Sequence, residues 1–317
     1  MAPFEPASKQ GMLAYAAPNF YQPHQARQAI RDAHEKKIPP LLFYYAGLSS
    51  VPITRFLAPM GYDGVWIDWE HTPCNVETMT DMVHEAIFMS GGRTIPFVRV
   101  PGHDHAAIGW ALDAGASVVV PQVETVEQAK HVVSSAKFGV RNSNGSRSAP
   151  PFRYIPGLTD TPCYPNKEFW ECLNEQAAIM IQVESKLGVE NLDAILTECP
   201  DIDIVWLGSL DARVSMSLPS NHGMGGAEPE WLEVVELYDA TMKKHNKPRG
   251  GFSFPNPPFG SAEGLKKASE TLSLITVSAD VLHLSFLAQD LADCKRIIGE
   301  SIAEKNGFTA KNGKADA

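Results

Sequence analysis

The 317-residue chain has no C-x-x-C pair: its five cysteines, Cys74, Cys163, Cys172, Cys199 and Cys294, are scattered and odd in number. That usage excludes a disulfide framework and a cysteine-based structural zinc site, and it suits a reducing compartment. Positive charge is also scarce, with 27 Lys and Arg against 37 Asp and Glu and a net charge of −10. A protein that grips a phosphate backbone needs a basic face, so no nucleic acid is expected as a partner. A small anionic substrate stays allowed, because one focused Arg or one metal ion reverses the field locally. No apolar run reaches membrane-spanning length, and residues 1–21 are interrupted by Pro3, Glu5, Pro6, Lys9 and Pro18, unlike a signal peptide. The expectation is a soluble, cytoplasmic protein with no membrane partner. Asn144-Gly145-Ser146 spells a glycosylation site, which reads as chance without secretion. No internal repeat is visible.

What the chain does have is apolar material, 44% of its residues, enough for one large core and too much for a disordered or fibrous chain. Short, nearly continuous apolar runs at 40–46, 64–68, 95–100, 117–121, 178–183, 204–208, 250–254 and 281–285 read as strands buried on both faces. Helical periodicity fills the intervals at 76–89, 104–114, 126–135, 188–199, 228–244 and 287–304, with Asn75 placed to cap the first of these. Eight strands alternating with helices predict an α/β fold, a closed (β/α)8 TIM barrel. A doubly wound open sheet alternates too, but the first strand–helix turn carries no glycine fingerprint.

The length divides accordingly. Residues 1–37 form an N-terminal extension with a first helix, 38–306 a single barrel, and 307–317 a charge-mixed tail expected to fray. One connection, 138–170, is dense in Pro, Gly, Ser and Asn, and a loop that long inside a compact domain is expected to be functional. It reads as a partly ordered excursion, part of it crossing the bottom or side of the barrel, that contributes to a mouth or to a neighbouring subunit.

In such a barrel catalytic groups project from the C-terminal ends of strands. Those ends read Ile67-Asp68-Trp69-Glu70-His71, Val98-Arg99-Val100-Pro101, Gln182-Val183-Glu184 and Gly208-Ser209-Leu210-Asp211. Glu184 and Asp211 are two acids bordered by apolar residues, with no His or Cys nearby. That donor set suits a hard cation that keeps waters, Mg²⁺ or Mn²⁺ or another divalent ion rather than zinc; the plainer alternative is that each acid caps a helix or pairs with a surface Lys. Asp68 and His71, three apart on the turn, can form a carboxylate–imidazole acid/base pair, although His71 taken alone reads more readily as a structural histidine near a helix start. Arg99 ends an apolar strand, where it needs a partner: a substrate oxyanion in the mouth, or an ion pair with Asp68 or Glu70. His103 and His105, spaced by two on a loop, read as helix-start or surface residues. The loop 221–226 is rich in glycine but lacks the Lys-Ser/Thr of a phosphate-binding loop, and reads as an ordinary connection.

These segments carry a resemblance. Gly61-Tyr62-Asp63-Gly64-Val65-Trp66-Ile67-Asp68-Trp69-Glu70-His71 resembles the strand-two signature of the HpcH/HpaI family of class II pyruvate aldolases. Pro96-Phe97-Val98-Arg99-Val100 is similar to its arginine strand, Leu112-Asp113-Ala114-Gly115-Ala116 with Val119-Val120-Pro121 to its fourth repeat, and the Glu184 and Asp211 segments to its metal-ligand segments. The match runs over about 38–287. The resemblance implies a barrel of the phosphoenolpyruvate/pyruvate type in which Glu184 and Asp211 hold Mg²⁺ and a 2-oxo acid, pyruvate or oxaloacetate, is the small-molecule partner. It gives Arg99 the keto oxygen as this becomes an enolate, makes Asp68 and His71 the acid/base dyad, and has Gln182 support the ligand shell. The substrate carboxylate falls to backbone N–H groups around Ser209, Leu210 and Asp211, with Trp69 lining the pocket. The family usually has Gly-Pro-Ala-Asp where this chain has Gly208-Ser209-Leu210-Asp211, so Leu210 narrows the carboxylate seat, and the family's arginine–glycine loop is matched only loosely by Arg141 and residues 147–153.

The reaction this implies is decarboxylation of oxaloacetate to a pyruvate enolate that adds to an electrophile, in one branch a 2-pyrone that becomes a benzoate. The alternative is cleavage or formation of 4-hydroxy-2-oxo acids with pyruvate as donor. A barrel that merely binds would be expected to have lost the acids or Arg99, and all are present. The family also implies a homo-oligomer, a dimer or a trimer of dimers, with a last helix reaching a partner.

Overall fold

The computed structural model describes residues 11–151 and 153–305. Eight strands, β1 (Leu41–Ala46), β2 (Gly64–Asp68), β3 (Ile95–Arg99), β4 (Ser117–Val120), β5 (Ile179–Val183), β6 (Ile204–Leu207), β7 (Arg249–Phe252) and β8 (Leu274–Ala279), form a closed barrel in chain order. Every pairing is parallel, and β8 closes onto β1. The helices are α1 (Ala26–His34), α2 (Val51–Leu57), α3 (Val76–Met89), α4 (His105–Asp113), α5 (Val126–Ala136), α6 (Phe169–Gln176), α7 (Lys186–Glu198), α8 (Ser209–Ser215), α9 (Pro229–Lys244), α10 (Ala262–Thr271) and α11 (Asp280–Lys305). Several begin on a side chain that satisfies a free N–H. Asn75 accepts from Thr78 as the sequence predicts, Asp104 from Ala107, Ser185 from Gly188, and Thr125 forms a capping box with Gln128.

Strand alternation sorts the apolar residues into two cores. Phe43, Trp66, Phe97, Val119, Met180, Trp206 and Leu274 fill the barrel interior, while Tyr44, Val65, Ile67, Val98, Val118 and Ile181 face outward against the helices. The interior is unusually aromatic, and glycines make the room. A Cβ at Gly64 would lie 2.1 Å from the Phe43 ring, and one at Gly250 would lie 2.8 Å from Trp206.

One expected strand is misplaced. Residues 281–285 are the start of α11, and the last strand is β8 at Leu274–Ala279. Val281-Leu282-His283-Leu284-Ser285 alternates like a strand over five residues, but the apolar spacing continues helically to Lys305, and a short run does not separate the two periods. The excursion at 138–170 connects the end of α5 to α6 and β5, at the N-terminal end of the barrel. Its contacts within the chain are there: Arg147 pairs with Asp113 at 2.6 Å, and Asn19 and Gln22 donate to the Thr159 carbonyl. Among the described residues it therefore does not build this chain's own mouth, because its two ends are anchored at the opposite face. The tail at 307–317 lies outside the described residues.

Candidate active site

The β2–β3 register makes Asp68 and Arg99 direct neighbours at the C-terminal rim. Arg99 Nε donates to Asp68 Oδ1 at 2.9 Å and Nη2 to Oδ2 at 2.7 Å, the two-pronged geometry a guanidinium and a carboxylate share. Glu70 adds a contact of 3.2 Å to Nε, and Tyr45, from β1, accepts from Nη2 at 3.0 Å while donating its own hydroxyl proton to Asp68. The guanidinium also rests against the Tyr45 and Trp66 rings, 5.8 and 5.6 Å from their centroids. Burial works against both charges. The hydrogen bonds and charge of Asp68 outweigh it for Arg99, whose pKa is raised, and those of Arg99 outweigh it for Asp68, whose pKa is lowered. Arg99 Nη1 has no hydrogen bond among the described residues, so the rigidly held cation keeps one NH₂ group for a ligand.

Glu184 leaves the end of β5 and is buried. Its Oε1 accepts from the Gln182 amide at 3.0 Å and its Oε2 from the backbone N–H of Gln122 at 3.0 Å. Gln122 holds the left-handed conformation, φ 50°, that aims this N–H. The Glu184 backbone N–H is in turn bonded to Glu124, which also takes the Ser185 hydroxyl. Burial first, then the negative charge of Asp211, push the Glu184 carboxyl up to about 7 against the Gln122 hydrogen bond. Burial also raises Glu70, opposed by Arg99 and assisted by Asp68 and Asp211. Asp68, Glu70, Arg99, Glu184 and Asp211 thus form one electrostatic unit across β2, β3, β5 and the first turn of α8.

Several expected residues take other places. The carboxylate–imidazole pair expected between Asp68 and His71 is not formed. Asp68 turns its oxygens to Arg99, Tyr45 and the backbone N–H groups of Glu70 and His71, and the exposed His71 ring lies 3.5 Å from Glu70 instead. Spacing along the turn brings the His71 main chain to Asp68, whereas the register of β3 claims the carboxylate. Trp69 does not line the mouth: its ring is buried in the outer core beside Trp110, and its indole N–H donates to the Cys74 carbonyl at 2.7 Å. Three residues, an odd number on an alternating strand end, separate it from the inward Trp66. Ser209 donates its hydroxyl to the Gly223 carbonyl, which ties the 221–226 loop to α8. Leu210 is 46% exposed at the rim. His103 bonds the Pro121 carbonyl and His105 begins α4, both apart from the acids. Glu70 makes the ion pair with Arg99 that the sequence left open, whereas Tyr45 and Glu124 carry no assigned role in the sequence, since they act through partners 23 and 60 residues away.

Among the described residues no three His, Cys, Asp or Glu side chains converge as a ready metal cage. The donor set nonetheless fits a divalent cation that retains most of its waters, because two oxygen donors are what such an ion asks of a protein. The local backbone fits as well: a Cβ at Gly208 would come within 2.3 Å of Glu184 Oε1, so glycine leaves that carboxylate its place beside the turn that carries Asp211.

A closed parallel barrel with a buried arginine and several acids at its C-terminal mouth has the layout of a barrel enzyme. Residues 42–228 match the HpcH/HpaI aldolase/citrate lyase family. The chain is 33% identical over 256 residues to a 2-keto-3-deoxy-L-rhamnonate aldolase of Salmonella gallinarum, covering 80% of this chain and 88% of that protein. A 5-keto-4-deoxy-D-glucarate aldolase of the same organism is 29% identical over 210 residues, 65% of this chain and 75% of the relative. Among solved structures, macrophomate synthase superposes with a TM-score of 0.80 at 31% identity, over 91% of this chain and 95% of that one. The chain belongs to the HpcH/HpaI aldolase/citrate lyase family and is a carbon–carbon lyase, not a barrel that only binds.

Proposed function

We propose that the enzyme forms a pyruvate enolate by decarboxylating oxaloacetate and adds it to an electrophile, as a macrophomate-synthase-like lyase that converts a 2-pyrone to a benzoate. The observation that carries this reading is the Arg99 guanidinium, locked by Asp68 and Tyr45 with Nη1 left over, on the same rim as Glu184 and Asp211. The likeness to macrophomate synthase over 91% of the chain supports the same reading.

In oxaloacetate the bond to the departing carboxylate breaks, CO₂ leaves, and the bonding pair becomes the enolate, so no base is needed. Negative charge then gathers on the keto oxygen, where Arg99 supplies a preorganised donor in a site that needs no rearrangement. Glu184 and Asp211 would hold Mg²⁺ or another divalent ion, whose role is to withdraw charge from the 2-oxo acid. Gln182 and Gln122 fix the Glu184 carboxylate through its two oxygens. The first turn of α8, at Ser209, Leu210 and Asp211, offers backbone N–H groups to the substrate carboxylate. On this reading His71, exposed beside Glu70, would exchange a proton with the electrophile.

The aldolase relatives favour a second reading, in which the enolate comes from cleavage of a 4-hydroxy-2-oxo acid. Pyruvate release from oxaloacetate, measured with and without EDTA, tests the first. Metal-dependent release is expected; equal rates would overturn it, and faster release from 4-hydroxy-2-oxo acids would favour the second.

The enzyme is also proposed to be a dimer-based homo-oligomer. Helix α11 runs 26 residues with only Asp280 buried and leaves Leu284, Leu287, Leu291, Ile298 and Ile302 exposed. A stripe of that size is covered in most soluble proteins.

A further inference from the structure

The charged groups occupy only part of the rim. From the end of β7 through the following loop, residues 251–261 carry no Asp, Glu, Lys, Arg or His, and the sector is built of aromatic rings instead. Trp66 lies under the Arg99 guanidinium and, with Trp206, is buried in the barrel interior. Phe252, at the end of β7, meets Trp206 edge-on with centroids 4.9 Å apart and lies nearly parallel to Trp66 at 6.3 Å and 17°. Phe254 continues the stack at 5.8 Å and 14°, Phe259 follows at 6.2 Å, and Phe286 of α11 at 6.0 Å. Packing explains the two buried tryptophans. It does not explain Phe252, which is 49% exposed although it stands against the buried Trp66 and Trp206. The rings form a ladder that starts beneath Arg99 and climbs the β7 side of the mouth toward solvent.

We propose that this wall seats the electrophile and selects a planar, uncharged ring compound, with Phe252 and Phe254 as the specificity-determining residues. The proposal rests on the enolate reading and deepens it. The enolate takes the charged half of the mouth, where Arg99 and the acids lie, and its partner takes the apolar half. A flat ring stacked on Phe252 matches the offset and edge-on arrangements aromatic groups prefer. A polyhydroxylated aldehyde would lose hydrogen bonds to water against a wall without charged groups. The wall reaches the arginine through Trp66, so a ring bound on it lies next to the place where the enolate is formed.

Two measurements on the full-length protein test this. Binding of coumarin, a planar uncharged probe, is followed by titration calorimetry without any turnover. Phe252→Ala and Phe254→Ala, each checked for a native circular dichroism spectrum, are expected to weaken it about tenfold. Phe252→Leu, which keeps apolar bulk but no flat face, is expected to behave like Phe252→Ala, and Phe252→Tyr to retain binding. In turnover, kcat/KM for benzaldehyde is expected to fall about tenfold more than that for acetaldehyde in the Ala variants. Undiminished coumarin binding in the Phe252→Leu and Phe254→Ala variants, or an unaltered benzaldehyde-to-acetaldehyde ratio, would overturn the proposal. Coumarin binding lost with Phe252 in a protein that releases no pyruvate from oxaloacetate would support the wall and overturn the reaction reading. Pyruvate release without coumarin binding would do the reverse.

Discussion

Asp68 and Arg99 are Cα partners on neighbouring strands and share two hydrogen bonds, so the acid that ends β2 holds in place the cation that ends β3. Under the proposed function Asp68 would position Arg99, and proton transfer would fall to the exposed His71. Asp68→Asn keeps the shape but removes the charge that fixes the guanidinium, and turnover of oxaloacetate is expected to fall about 10²-fold, the order seen when one oriented donor is lost. Arg99→Lys is expected to be nearly as impaired as Arg99→Ala, because an ammonium cannot span both oxygens of Asp68 and also reach substrate. A Lys variant near wild-type rate in steady-state assays would show that point charge alone suffices.

The acids make a separate prediction. Glu184→Gln and Asp211→Asn are expected to weaken Mn²⁺ binding, read by electron paramagnetic resonance, by about 10²-fold while the far-ultraviolet circular dichroism is retained. Gly208→Ala is the more specific probe. Its methyl group would meet Glu184 Oε1 and Cγ at 2.3 and 2.6 Å, so it should displace the carboxylate and mimic Glu184→Gln without replacing a charged residue. Normal Mn²⁺ affinity in Gly208→Ala would remove Glu184 from the ligand set.

Stability should fall in mild acid because of His24. The ring is buried, donates Nε2–H to the Gly92 carbonyl at 2.7 Å, and has no partner at Nδ1 among the described residues. Desolvation, only partly opposed by that hydrogen bond, lowers its pKa from 6.5 to about 4. The folded protein therefore keeps it neutral while the unfolded chain takes up a proton. The stability associated with the neutral ring is present in full above pH 6.5 and is lost as the pH falls toward 4. The shift corresponds to about 3 kcal/mol when complete. Urea unfolding at pH 7 and pH 4.5 should show a larger loss for the wild type than for His24→Gln; equal losses would mean that the ring titrates normally.

Helix α11 gives a fourth prediction. Leu291→Glu with Ile298→Glu places two charges on its exposed apolar stripe and is expected to reduce the mass measured by light scattering from an oligomer toward the 34.6 kDa chain. A wild type that is monomeric at micromolar concentration would refute the assembly.

Much of this architecture was legible in the sequence, and the reasons are local. β2 and α3 were read to the residue, because β2 is a continuous buried run and Asn75 marks where α3 must begin. Arg99, Glu184 and the Asp211 turn could be found because each interrupts apolar sequence at a strand end. What could not be read is whatever depends on direction. Trp66 and Trp69 are both tryptophans of one strand end, yet one faces the barrel interior and the other the helices. Asp68 looks from spacing alone like a partner for His71, and the β3 register gives it to Arg99. β8 is hard to separate from α11 because their apolar residues lie on either side of a single acid, Asp280, so that the apolar start of the helix reads as the strand.

The distribution of side chains around the mouth also bears on how such an enzyme diverges. The residues proposed for the 2-oxo acid hang from β2, β3, β5 and α8, while three rings of the aromatic wall proposed for the acceptor, Phe252, Phe254 and Phe259, lie in the β7 end and the loop behind it. One short stretch of coding sequence can therefore be rewritten, and a new acceptor acquired, while the electron source is inherited untouched. On that view substrate range in this fold is a cassette property of the seventh strand and its loop, and grafting residues 251–261 between relatives is the shortest route to exchanging it.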